Sequence, residues 1–412
     1  MIKRAFMLAI LLAVFITKQS QAQTPVEKYG RLSVKGNRVV DKDGNPVQLK
    51  GMSLFWSQWI GKYYNASAIK WLKDDWCISV IRAAIAADTG NQGYSSGGSA
   101  ETVQRARANA AIDGAVKAGI YVILDYHSHE ANVTPNFNGA RKFFSEMAKK
   151  YAGVPNVIYE TWNEPVREDW DTEIKPYHRE IIDTIRKYDP DAMVVCGTPM
   201  WCQNVDEAAD SPLDRPNVAY TLHYYANTHK QWLRDKASYA LGKGVALFVT
   251  EYGTCNSSGN GGFNPTESNT WWKFLDDNKL SYCNWSVGDK AETASVLVPG
   301  ASSTGGWDAS DLTESGTLVR NHLREACEFA SSLSEEDFTR NKPVCYPNPF
   351  SSTFTIQAAG TFEYSVFDNF GRQVAKGTGT ESAVVDQNLT LGMYTVQIRY
   401  NTSSRFVKVN KN

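Results

Sequence analysis

Short apolar runs rich in β-branched and aromatic residues recur along the first three quarters of the chain. They are Val47–Ser53, Ile78–Ala83, Ile120–Tyr126, Val157–Asn163, Ala192–Gly197, Val218–Tyr224, Ala246–Glu251 and Leu280–Val287. Most lack strict polar alternation, the pattern of strands buried on both faces of a parallel sheet. Between them lie amphipathic segments such as Ala100–Ala118, Gly139–Tyr151, Ile174–Tyr188 and Ser268–Asn278. In one of these, Ile174, Tyr177, Ile181, Ile185 and Tyr188 recur every three or four residues and make a single apolar helix face. Eight such alternations predict an α/β fold, a (β/α)8 TIM barrel. A doubly wound open sheet would want a GxGxxG turn after a strand, and the chain has none. Ahead of the barrel, Leu32 to Leu49 predicts a small hairpin around the turn cluster Asp43-Gly44-Asn45-Pro46.

The pattern changes after Phe329. Residues 330–344 are polar and without period, which predicts a linker. From residue 345 to 412 the alternation is that of strands, as in Thr353-Phe354-Thr355-Ile356 and Met393-Tyr394-Thr395-Val396-Gln397-Ile398, with turns at Asn369-Phe370-Gly371 and Leu391-Gly392. A small all-β sandwich is expected there. All 12 Trp precede it, the last being Trp307, so the module offers no Trp platform for a sugar. At the other end, basic Lys3-Arg4, an apolar run from Ala5 to Ile16 and the small-x-small site Ser20-Gln21-Ala22 predict a signal peptide over residues 1–22. The expected catalytic domain spans 29–329.

A formal net charge of -1 gives no reason to expect nucleic acid or an anionic membrane as partner. The seven cysteines are odd in number, so an exported chain keeps at least one thiol. Cys77, Cys196 and Cys283 lie in or beside strand runs and are expected as packing residues. No CxxC spacing suggests zinc.

Candidate chemistry sits just past strand ends, the mouth where a barrel of this kind does its work. Glu164 follows Val157-Ile158-Tyr159-Glu160-Thr161-Trp162-Asn163, and Glu251 closes Ala246-Leu247-Phe248-Val249-Thr250. A carboxylate there is costly unless solvated, paired or used. Two of them suit an acid/base and nucleophile pair cleaving a glycosidic bond. Glu164 is expected to titrate above a free glutamate because Glu251 carries a neighbouring charge. Arg82 is placed at the end of strand two, where it could hold Glu251 ionised. Asn163 could bond a sugar 2-OH. His127, His223 and Tyr225 fall at the same mouth, and Trp285 could form a sugar platform. His127-Ser128-His129 has a metal-ligand spacing, but no further His ends a strand beyond His223, so neither a metal nor a cofactor is expected.

From about Tyr29 to Leu323 these residues resemble glycoside hydrolase family 5, bacterial endo-β-1,4-glucanases in particular. The likeness is carried by Val47-Gln48-Leu49-Lys50-Gly51, Val80-Ile81-Arg82-Ala83-Ala84, Val122-Ile123-Leu124-Asp125-Tyr126-His127, Asn156 to Pro165, His223-Tyr224-Tyr225-Ala226, Phe248 to Thr254 and Asn284-Trp285-Ser286. The resemblance implies Glu164 as acid/base and Glu251 as nucleophile, with Arg82, His127, Asn163, His223, Tyr225 and Trp285 around them. It also implies that Trp201, Lys290 and Glu292 bind glucosyl units of a β-glucan. A monomer is expected. Two segments depart from the pattern. Ser53-Leu54-Phe55-Trp56-Ser57-Gln58-Trp59 stands where many relatives carry a cleft His, and Ile85-Ala86-Ala87 where many carry a cleft Tyr. Both changes touch sugar-binding subsites. The expected activity is a retaining endo-β-1,4-glucanase, with a mannanase, xyloglucanase or mixed-linkage glucanase on the same barrel as the alternative and a glycan-binding protein without activity as the alternative of another class. Residues 345–412 resemble the sorting domain of the type IX secretion system, through Tyr346-Pro347-Asn348-Pro349-Phe350, Asp368 to Val374, Leu391-Gly392-Met393-Tyr394 and Lys408-Val409-Asn410-Lys411. That implies the type IX machinery as partner and a secreted or cell-surface location.

Overall fold

The computed structural model describes residues 23–90, 92–325, 327–329, 343–386, 388–400 and 403–412. The expected signal peptide lies outside the described residues, as does nearly all of the expected linker. The chain forms two compact units, one built on a barrel and one on the C-terminal strands. Among the described residues no helix is long and apolar enough to cross a membrane.

Eight parallel strands close the barrel: β1 Lys50–Leu54, β2 Val80–Ala86, β3 Tyr121–His127, β4 Val157–Glu160, β5 Val194–Cys196, β6 Val218–Tyr225, β7 Leu247–Gly253 and β8 Tyr282–Val287. Each pairs with its sequence neighbour, and β8 closes on β1 with Tyr282 opposite Lys50. Two apolar layers hold it together. An outer one joins the strands to the helices, as where Tyr177, Ile181, Ile182 and Ile185 of the helix Lys175–Arg186 turn inward. An inner one fills the lower half of the barrel with Leu49, Val80, Ile123, Ile158, Val195, Phe248 and Cys283. Tyr29, Leu32 and Val39 plug its N-terminal end. Apolar filling below leaves the C-terminal mouth for polar groups.

The N-terminal ladder differs from expectation. Ser33–Lys35 pairs with Arg38–Val40 around Gly36-Asn37, where Gly36 has φ 59. The expected turn is also present as a second bend, in which Asp41 accepts from Asp43 and Asn45 backbone N–H groups and Val40 bridges to Pro46.

Cys77 is not the packing thiol its surroundings suggest: it is bonded to Cys327 across 250 residues. Cys196, Cys202, Cys255, Cys283 and Cys345 are free and buried. The bond ties the stretch before β2 to the segment after the last barrel helix, at the end opposite the mouth. Closing so long a loop restricts the unfolded chain, so Cys327→Ser is expected to lower stability by about 2–5 kcal/mol. Melting with and without reductant checks this: wild type should fall to the variant's melting temperature on reduction, with turnover below the transition unchanged.

The C-terminal unit is an antiparallel sheet of β9 Val344–Tyr346, β10 Phe354–Phe367, β11 Gln373–Val385, β12 Gly392–Tyr400 and β13 Ser403–Lys411. A register shift in β10 between Gln357 and Thr361 separates two halves. The first half pairs with β9 and the second with β12. Both halves send side chains, Phe354 and Ile356 from one and Phe362 and Val366 from the other, into one core with Phe350, Val396, Ile398 and Val409.

Candidate active site

One fully buried guanidinium organises the mouth. Arg82 donates from Nε to Glu160 Oε2 at 2.7 Å, from Nη1 to Glu251 Oε2 at 2.8 Å and from Nη2 to Asn163 Oδ1 at 2.6 Å. Asp125 Oδ2 lies 3.0 Å from Nη2. Three carboxylates thus surround one buried cation, and each has an oxygen on it, which offsets the cost of burying them. Burial alone would lower the guanidinium pKa, but Asp125, Glu160 and Glu251 drive it well above the ordinary arginine value. Burial pushes the Asp125 carboxyl up to about 7 against the pull of Arg82. Glu160 is also raised, first by burial. Arg82 was expected at a strand end and instead lies within β2, which runs on to Ala86. Its side chain therefore works from beneath the cleft.

Glu251 projects from β7, with Oε2 on Arg82 and Oε1 accepting the Tyr225 hydroxyl at 2.8 Å. Burial and the Glu251 charge raise the Tyr225 pKa well above its usual value, so it stays a phenol and a donor. Gly253 allows this contact, because a Cβ there would stand 2.3 Å from the Tyr225 ring.

Glu164 lies on the loop after β4. Its Oε1 meets His223 Nδ1 at 2.8 Å and its Oε2 meets His129 Nε2 at 3.2 Å. Gly197 at the end of β5 makes room for this loop: a Cβ would stand 2.3 Å from Trp162 O and 2.9 Å from Pro165 Cδ. Burial raises the Glu164 pKa, but the bonds to His129 and His223 outweigh it and hold the carboxyl below the ordinary glutamate value. The expected upward shift is thus reversed in the resting site, because two imidazoles face the carboxylate. An oxygen of Glu164 and one of Glu251 lie within 4.8 Å of each other.

Thr250 links the two halves. Its hydroxyl donates to Glu160 Oε1 at 2.6 Å, so it accepts from His223 Nε2 at 2.9 Å. With Nε2 carrying hydrogen, the bond between Nδ1 and Glu164 Oε1 holds a further proton, on one atom or the other. A continuous path then runs Glu164, His223, Thr250, Glu160, Arg82, Glu251.

His127 bonds through Nδ1 to Asp125 Oδ2, and burial keeps its imidazole neutral, with a pKa well below the usual value. Trp285 lies parallel to it, centroids 5.3 Å apart, and Trp56 meets it edge-on at 4.0 Å. A cleft of about 300 Å³ is bounded by Glu164, Glu251, His127, Asn163, Tyr225 and Trp285, with Lys290 and Glu292 at one side. Lys290 pairs with Glu292 at 2.5 Å. Trp201 stands apart from that cavity on the loop after β5, 40% exposed. Met200, Trp201 and Cys202 have φ of 55, 54 and 59, a strained left-handed run. Trp201 N donates to Pro165 O at 2.9 Å and so joins this loop to the one bearing Glu164.

Sequence reasoning missed Asp125, Glu160, Thr250 and the aromatic group Phe55, Trp56 and Trp59. The acidic pair left one signal, a carboxylate inside each of two apolar runs, Leu124-Asp125-Tyr126 and Tyr159-Glu160-Thr161. Phe55 and Trp56 border the cleft in the segment that departs from the family pattern.

A barrel that presents two near carboxylates with different partners, floored by Arg82 and walled by indoles, is a site of the glycoside hydrolase class. Residues 40–291 match the model of Cellulase (glycosyl hydrolase family 5), and the chain belongs to that family. Residues 344–412 match the secretion system C-terminal sorting domain. The chain is 43% identical over 317 residues to Endoglucanase N of Pectobacterium atrosepticum, covering 76% of this chain and 70% of that one. A solved structure from Cytophaga hutchinsonii is 53% identical with a TM-score of 0.71, over 74% of this chain and 97% of that one. The catalytic domain of Thermobifida fusca endoglucanase Cel5A is 32% identical with a TM-score of 0.68, over 73% and 99%. This protein is therefore a cellulase-family hydrolase with a secretion sorting tail, secreted or held at the cell surface.

Proposed function

We propose that this endo-β-1,4-glucanase cleaves internal bonds of β-glucan chains by double displacement, with Glu251 as nucleophile and Glu164 as acid/base. The observation that carries the reading is the approach of the two carboxylates to within 4.8 Å, each with its own partners. Retaining enzymes hold their carboxyl groups about 5–5.5 Å apart, whereas inverting ones need about 6.5–9.5 Å for a water. Glu251 attacks the anomeric carbon while Glu164 gives a proton to the departing glycosidic oxygen. A water then enters, Glu164 takes its proton, and the bond to Glu251 breaks. Asn163 accepts from Arg82 through Oδ1, which turns its amide N–H groups to the cleft for the sugar 2-OH. Trp285 and Trp201 serve as sugar platforms, and Lys290 with Glu292 bonds hydroxyls of a further unit. A single chain is proposed to act as a monomer, since the two carboxylates and their named partners lie on strands and loops of one barrel. The tail directs export through the type IX machinery.

Azide tests the acid/base role. In Glu164→Ala, substrates with a good leaving group should keep the first step, and azide should restore turnover at least tenfold by trapping the glycosyl-enzyme. Equal losses on good and poor leaving groups, with no response to azide, would remove Glu164 from that role.

A further inference from the structure

His129 takes no part in the reaction as written, yet it touches the acid/base directly. Its Nε2 is 3.2 Å from Glu164 Oε2, while His223 holds the other oxygen. The two imidazoles differ in access: the His223 side chain is 2% exposed and that of His129 is 43% exposed. The segment bearing His129 is braced on several sides. Ser128 Oγ donates to Asp88, and His129 N reaches Asp88 Oδ2 at 3.4 Å. Glu130 N donates to Ser128 Oγ at 2.9 Å, and Glu164 N donates to Ser128 O at 3.2 Å. The His129 ring meets Trp56 edge-on at 5.7 Å. A half-exposed imidazole is thus fixed against the outer oxygen of the acid/base.

We infer that His129 shares the catalytic proton with Glu164 and so sets the alkaline limit of the reaction. This rests on Glu164 being the acid/base. The charged and titratable groups around His129 are Glu164 beyond β4, Asp88 beyond β2, Glu251 on β7, His127 on β3 and Glu130 next in the chain. Burial weakens its hold on a proton, but the bond to Glu164 and the surrounding negative charge reverse this and raise its pKa above the ordinary value. The pair carries one proton, on Nε2 or on Oε2. In the first step that proton leaves Oε2 for the glycosidic oxygen as the C1–O bond breaks and the C1–Glu251 bond forms. The pair is left as neutral imidazole and carboxylate. In the second step water supplies hydroxide to C1 and a proton to the pair, and the C1–Glu251 bond breaks. With His129 present the proton is lost only as pH rises through the raised value. Without it, the outer oxygen Oε2 has no imidazole to share a proton with, and Glu164 keeps only its bond to His223 through Oε1.

The test compares pH profiles of kcat and kcat/KM for wild type, His129→Ala and His129→Gln on a cello-oligosaccharide. Gln keeps a donor to Oε2 but cannot carry the proton. Both variants should move the basic limb to lower pH by about one unit, so that their loss at pH 8 exceeds their loss at pH 6 by about tenfold. KM should change little. Nitrogen NMR of the His129 ring gives a second readout: its elevated titration should fall towards that of a free histidine in Glu164→Gln. An unmoved basic limb in both variants, a limb restored by Gln, or a loss equal at all pH values would each overturn the inference. If azide rescues Glu164→Ala while the basic limb stays in place, only the His129 inference falls. If azide fails, the acid/base assignment falls first.

Discussion

Glu251→Gln should lower kcat by about four orders of magnitude or more while cello-oligosaccharide affinity stays within a few-fold. The amide matches the carboxylate in shape. Its oxygen can still accept from Arg82 Nη1 and its NH2 can face the Tyr225 oxygen, the two partners of the native side chain. What disappears is the anionic oxygen that forms the bond to C1. Trp285, Lys290 and Glu292 are untouched, so calorimetric titration should show near-native binding with turnover gone. Residual activity above about a hundredth of wild type would be incompatible with Glu251 as nucleophile.

Arg82→Met should destabilise the barrel strongly. The side chain would still fill space, but Asp125, Glu160 and Glu251 would lose their shared counter-charge. Removing one partner of a buried ion cluster costs about 3–5 kcal/mol. For a domain of this size that corresponds to a fall in melting temperature of roughly 10 °C. The sign with pH follows from the raised carboxyl of Asp125, at about 7 even with the guanidinium beside it. A folded-state acid pKa above its unfolded value means that the native protein binds the proton more tightly, so stability falls as pH rises. The deficit of Arg82→Met should therefore be larger at pH 8 than at pH 5. A deficit that grows on acidification would contradict the description of this cluster.

The eight strands were legible because buried parallel strands leave dense β-branched and aromatic runs with breakers between them. Glu164, Glu251, His223 and Tyr225 were legible because they stand at the C-terminal ends of such runs, where the mouth of a barrel lies. Arg82 was found but set too high, since the small residues Ala83, Ala84 and Ala86 hid how far β2 continues. Asp125 and Glu160 were hidden for a deeper reason. A carboxylate inside a strand is tolerable only if paired, and its partner, Arg82, lies 43 residues away from one and 78 from the other. Barrel closure also decides the Cys77–Cys327 bond, which no local spacing reveals. The direction of the Glu164 shift turned on His129 and His223, side chains brought to it from β6 and from beyond β3. Charge between the two glutamates was readable, whereas the imidazoles that outweigh it were not readable as neighbours.

The anomeric configuration of the first product tests the paired-carboxylate mechanism most directly. Proton NMR taken within the first seconds of cello-oligosaccharide hydrolysis, before mutarotation, reads the new reducing end. The two carboxylates lie within 4.8 Å, so the β-anomer should appear first and the α-anomer only later as the sugar equilibrates. An α-anomer formed first would mean direct displacement by water, and Glu251 could not then be the nucleophile.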